Sequence, residues 1–70
     1  MITFDKLWIT AKEKGISKNA FHNKYHISKS QLSRLQHNEG VNTCTLDRLC
    51  NILECSLSDI MEHKQDDNFF

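Results

Sequence analysis

The chain has no proline and only two glycines, Gly15 and Gly40. So little turn punctuation argues against a sandwich or barrel of many short strands and favours helices joined by short connections. No apolar run approaches the ~20 residues that a membrane-spanning helix requires. The opening M-I-T-F-D-K-L-W carries an early acid, Asp5, and lacks the basic and apolar regions of a secretory signal, so no membrane association is expected and the location should be cytoplasmic. The three cysteines, Cys44, Cys50 and Cys55, are odd in number and have no CxxC spacing. Small buried hydrophobes in a reducing compartment are expected of them, rather than a disulfide framework or a metal site. There is no phosphate loop, no carboxylate pair placed for a cleft and no nucleophile with an evident base. A 70-residue chain also has little room for a substrate pocket, so neither catalysis nor a cofactor is expected.

What remains is one small domain. A core of this size buries only ~60% of the unfolded chain's surface, which makes stability modest. The hydrophobic fraction of 39% is enough for a globular fold and too high for a disordered chain. The formal net charge of zero hides an asymmetry. From Lys12 to Arg34 six positive residues face Glu13 alone, a net of +5. From Leu35 to Phe70 seven acids face only Arg48 and Lys64, a net of −5. Such segregation suggests one face suited to a polyanion and another that keeps the protein soluble.

One local pattern repeats four times. Ile16-Ser17 is followed by Phe21, Ile27-Ser28 by Leu32, Val41-Asn42 by Leu46, and Cys55-Ser56 by Ile60. Each is an apolar residue, a helix-capping residue and a second apolar residue four positions on, the spacing of a hydrophobic staple around an N-cap. Helix starts are therefore predicted near 17, 28, 42 and 56. Ser28 with Gln31, and Ser56 with Asp59, also have capping-box spacing. A further helix is predicted from Thr3 to Lys14, where Phe4, Leu7, Trp8 and Ala11 lie at helical intervals and Gly15 suits the residue past its end. The expected architecture is all-α, a compact five-helix domain over 1–63 with a short acidic, flexible tail over 64–70. Only Tyr25, His26 and Ile27 separate the second and third helices, the geometry of a helix-turn-helix.

The run from Ile16 to Met61, with I-T-F-D-K-L-W before it and V-N-T-C-T-L-D-R-L-C-N-I-L-E-C-S-L-S-D-I-M-E at its end, resembles the phage-repressor family of Cro/cI (XRE) helix-turn-helix domains. Two positions depart from that family's pattern. His22 stands where a small alanine is usual, and His26 where the turn commonly has glycine. Histidine enters the left-handed region more readily than most residues, so the turn is expected to survive with strain. The same two histidines could be an i,i+4 metal pair, but no third ligand is evident and a structural role is expected.

The resemblance implies binding to double-stranded DNA, with the third helix in the major groove and the second crossing the backbone. At 100° per residue, placing Leu32 and Leu35 inward leaves Ser30, Ser33, Arg34 and His37 outward and Lys29 exposed at the first helical position. By position Lys29, Ser30 and Arg34 match the family's base-reading residues, and Ser33 is a lesser candidate. Phosphate contacts are expected from Ser17 and Lys18 at the start of the second helix, from Ser28, and from His37 and Asn38 at the end of the third. Glu39 should weaken the grip on the backbone. The implied protein is a transcriptional regulator, most naturally a repressor acting as a homodimer on an inverted repeat, dimerising around Cys55 to Met61 with help from Phe69 and Phe70. The competing expectation is a protein-interaction module, such as the antitoxin of a toxin pair. The acidic half and the tail Q-D-D-N-F-F would then serve the partner.

Overall fold

The computed structural model describes residues 1–65. Four α-helices, α1 (Asp5–Glu13), α2 (Lys18–Asn23), α3 (Lys29–Gln36) and α4 (Thr43–Leu53), build the domain. Two short strands, β1 (Ile2–Thr3) and β2 (Glu62–His63), pair antiparallel, with Ile2 opposite His63 and Thr3 opposite Glu62. The ladder continues through Lys64 N–H, which donates to the Met1 carbonyl at 2.8 Å.

The caps explain where the helices begin. Ser17 Oγ accepts from Ala20 N–H, Ser28 Oγ from Gln31 N–H and Asn42 Oδ1 from Thr45 N–H, at 3.2, 3.2 and 2.8 Å. Each satisfies a first-turn donor that the helix itself leaves unpaired. The capping box expected at Ser28 is only half made. Gln31 Oε1 lies instead 3.4 Å from Thr45 Oγ1 of α4, the longer of that hydroxyl's two contacts, the other being Asn42 Oδ1 at 3.0 Å.

Three sequence expectations are corrected. The helix expected from Thr3 begins at Asp5, because the β-branched pair Ile2–Thr3 is taken into the ribbon with Glu62–His63. The fifth helix is a single 3₁₀ turn, Leu57–Asp59, so the described residues hold four α-helices and not five. At that turn the Asp59 carboxylate accepts from the Ser56 N–H at 3.2 Å, and Ile60 N–H bonds to the Leu57 carbonyl at 3.1 Å in i→i−3 fashion. Two residues further on, the chain is already extended to meet β1. The ribbon also makes the domain mostly helical rather than wholly so. Of the acidic tail expected over 64–70, Asp66 to Phe70 lie outside the described residues.

The core gathers the staple residues. Phe21, Ile27, Leu32 and Ile60 are buried with Phe4, Leu7, Ala11, Leu35, Leu49 and Leu53. Trp8 meets Phe21 edge-on, with ring centroids 6.3 Å apart and planes at 77°, a favoured aromatic geometry. Ile27 is both the staple partner of Leu32 and the last residue of the turn, so docking α3 and closing the turn are one packing event.

Each α-helix is followed by a residue in the left-handed region: Gly15 (φ 73°), His26 (φ 60°), Asn38 (φ 57°) and Glu54 (φ 52°). Only the first is glycine. At His26 the conformation is forced by the short turn, whose Ile27 N–H returns to the Phe21 carbonyl at 2.9 Å. Arg48 of α4 holds the same turn, its Nη2 donating to the Tyr25 carbonyl at 2.5 Å. A side chain at such φ costs ~1–2 kcal/mol, and glycine's added freedom in the unfolded chain offsets part of any gain. His26→Gly should therefore leave stability unchanged or raise it slightly in denaturant melts. A clear loss would show a side-chain role for His26 that outweighs its backbone strain.

Candidate nucleic-acid interface

α3 has a dry side and a wet side. Leu32 and Leu35 are 2% and 0% exposed, while Lys29, Ser30, Ser33, Arg34, Gln36 and His37 are all exposed. The four residues expected to read bases thus share one open face of one helix. α2 lies beside it, and Lys18, Asn19, His22 and Asn23 of α2 line a groove with Lys29 and Leu32 of α3. Sequence reasoning missed Asn19, Asn23 and Gln36. The signal was present in part, since Asn19 and Asn23 are an i,i+4 polar pair on the exposed side of α2.

The phosphate candidates divide. Lys18 Nζ is exposed and donates to Gln36 Oε1 at 2.6 Å, which links the start of α2 to the end of α3. An ammonium has three donors, so two remain for an anion. His37 Nδ1–H donates to the Ser33 carbonyl at 2.8 Å. Its Nε2 can then offer a proton to phosphate only when the ring is cationic. Ser17 and Ser28 are exposed but their hydroxyls cap helices, and Ser28 Oγ also lies 3.3 Å from Ser30 Oγ. Asn38 stands apart: it is half-buried and left-handed, and its Oδ1 accepts from Phe4 N–H at 2.8 Å. That bond fastens the entry of α1 to the exit of α3.

Arg34 Nη1 donates to the Gly40 carbonyl at 3.4 Å, a long bond on an exposed group that leaves most of the guanidinium free. Other basic residues are structural. Arg48 braces the turn, and Lys24 Nζ sits 5.5 Å from the Tyr25 ring centroid as a cation–π pair. His22 bridges α2 to the turn, its Nδ1–H donating to the Ile27 carbonyl at 2.9 Å. A ring nitrogen used in this way is withdrawn from the metal pair considered with His26. Among the described residues no cluster of three or more histidine, cysteine, aspartate or glutamate side chains could hold a metal ion. No described helix is long and apolar enough to cross a membrane.

Two short helices at a braced turn, the second baring a polar and basic face, define a helix-turn-helix domain. This chain belongs to the Cro/C1-type family of helix-turn-helix DNA-binding domains, whose model matches residues 6–66. It is also similar to the transcriptional regulator VanUg, whose form II crystal structure superposes with a TM-score of 0.80. The identity is 30%, over 87% of this chain and 81% of that one. No curated protein sequence matches it.

Proposed function

We propose that this protein is a sequence-specific transcriptional regulator that binds double-stranded DNA with α3 in the major groove. The observation that carries this reading is the exposed row Lys29, Ser30, Ser33 and Arg34 on a helix docked through Leu32 and Leu35. Arginine and lysine donate to guanine O6 and N7, and serine serves several base edges. Lys18, joined by His37, supplies phosphate contacts that set the register but carry no sequence information. Ser17, Ser28 and Asn38 act mainly by holding the helix ends in place. The similarity to a transcriptional regulator supports the same role. Occupying an operator by a module of this kind blocks the DNA to other proteins, so repression in the cytoplasm is the proposed outcome.

One α3 makes few base contacts, and two half-sites raise both affinity and specificity. The proposed functional unit is a homodimer on an inverted repeat. Leu57, which is 50% exposed in the turn between α4 and β2, is the proposed apolar anchor of the contact. Phe69 and Phe70, expected to help, lie outside the described residues. Mass measurement on the preferred duplex should give two chains per duplex, with half-site centres about one helical turn, ~34 Å, apart. A strictly 1:1 complex would remove the dimer from the proposal.

In-vitro selection from random duplexes tests the function itself. Enrichment of one inverted repeat is expected. A chain that enriches no duplex would instead fit a module that binds a protein partner, such as a toxin.

A further inference from the structure

The end of α4 brings two cysteines onto one cleft. Glu54 is left-handed (φ 52°, ψ 51°) and its N–H donates to the Cys50 carbonyl. The next N–H, that of Cys55, returns to the same carbonyl at 3.1 Å. The second bond is the 6→1 return of a Schellman motif, whose two end side chains frequently pack together. The pair that meets is usually apolar. Here the two ends are Cys50 and Cys55. Both are half-buried, and both line an open cleft with Asn51, Glu54, Ser56 and Asp59. Cys44 is exposed near the other end of α4.

We propose that Cys50 and Cys55 form a dithiol modification site, which a peroxide converts to an intramolecular disulfide. The Cys55 thiolate attacks one peroxide oxygen, the O–O bond breaks, and Cys55 becomes a sulfenic acid while the other oxygen leaves as water after taking up a proton. Cys50 sulfur then attacks Cys55 sulfur. The S–S bond forms as the sulfenic S–O bond breaks, and the departing hydroxide takes the Cys50 proton and leaves as a second water. The two thiols lose two hydrogens and the peroxide is reduced to two waters. Burial, reinforced by nearby carboxylates, pushes both thiols above the usual range, with Asp47 acting on Cys50 and Asp59 on both. The first step is therefore slow. The site shares no residue with the groove between α2 and α3 and does not depend on the DNA-binding proposal.

The test uses the reduced full chain, free of DNA, at micromolar concentration. It is treated with hydrogen peroxide, its remaining thiols are alkylated, and it is cut with trypsin. Cleavage after Arg34, Arg48 and Lys64 separates Cys44, on peptide 35–48, from Cys50 and Cys55, on peptide 49–64. A tethered thiol has an effective concentration on the order of millimolar, about a thousandfold above that of a thiol on another chain. The expected result is a 49–64 peptide with no alkyl group and two hydrogens lighter, a 35–48 peptide still alkylated, and full reversal by dithiothreitol with the helical circular dichroism unchanged. The proposal is overturned if both thiols of 49–64 remain alkylatable under conditions that oxidise dithiothreitol. Chains linked to each other before the internal bridge appears, or a bridge that forms only as helical signal is lost, would overturn it equally.

Discussion

Leu32→Ala should cost this protein a large share of its folding stability. Leu32 is 2% exposed, is the fourth helical residue of α3, and is the staple partner of Ile27 at the end of the turn. Truncating it removes three carbons from a site where the core and the turn close together. Leucine-to-alanine changes in such sites cost roughly 2–5 kcal/mol. At 0.05–0.15 kcal/mol per residue, a domain of this length has about 3.5–10 kcal/mol in all. The loss therefore takes a large share of the total, and urea melts followed by circular dichroism should show it as a fall in midpoint. A loss under ~0.5 kcal/mol would mean that Leu32 is not what docks α3.

Arg34→Ala should act in the opposite manner, sparing the fold and changing which DNA is preferred. The side chain is exposed, and its one bond, to the Gly40 carbonyl, is long enough to contribute little to stability. On DNA a guanidinium can donate two parallel bonds to guanine O6 and N7, worth ~1–3 kcal/mol of discrimination per base pair. A dimer would lose that at both half-sites, a fall in affinity for the selected operator of roughly thirty-fold or more. Competition binding with single-base variants of the operator should show preference relaxed at one position in each half-site, with melting unchanged. A variant with the preferences of the wild type would remove Arg34 from the base-reading set.

The local parts of this architecture were legible from sequence because their causes are local. Ser17, Ser28 and Asn42 each cap the helix that follows them, and the apolar residues on either side of each cap enter or border the core. The turn at His26 could be anticipated for the same reason, since three residues between the cap residues of two helices leave little choice of backbone. What escaped depends on residues far apart in the chain. Ile2–Thr3 has helical neighbours and becomes a strand only because Glu62–His63 arrives beside it. Asn38 looked like a polar residue after a helix until Phe4 N–H, thirty-four positions away, took its side chain. The Gln31 side chain lies against Thr45 of α4 instead of closing its own cap. At the interface the exposed row on α3 follows from periodicity. The groove with Asn19 and Asn23 and the Lys18–Gln36 link arise only when two helices are set side by side.

A salt titration of duplex binding, on the wild type and Lys18→Ala, tests the DNA-binding proposal most directly. Neutralising a phosphate releases counterions, so log affinity falls linearly with log salt, by about 0.9 per phosphate. If the dimer neutralises about six phosphates, the wild-type slope should be near −5. Lys18→Ala should weaken matched and scrambled duplexes alike and make the slope shallower by about one unit for each phosphate it no longer neutralises. A wild type that binds no duplex at low salt, or a Lys18→Ala slope equal to the wild type's together with unchanged affinity, would contradict the assignment of this face to DNA.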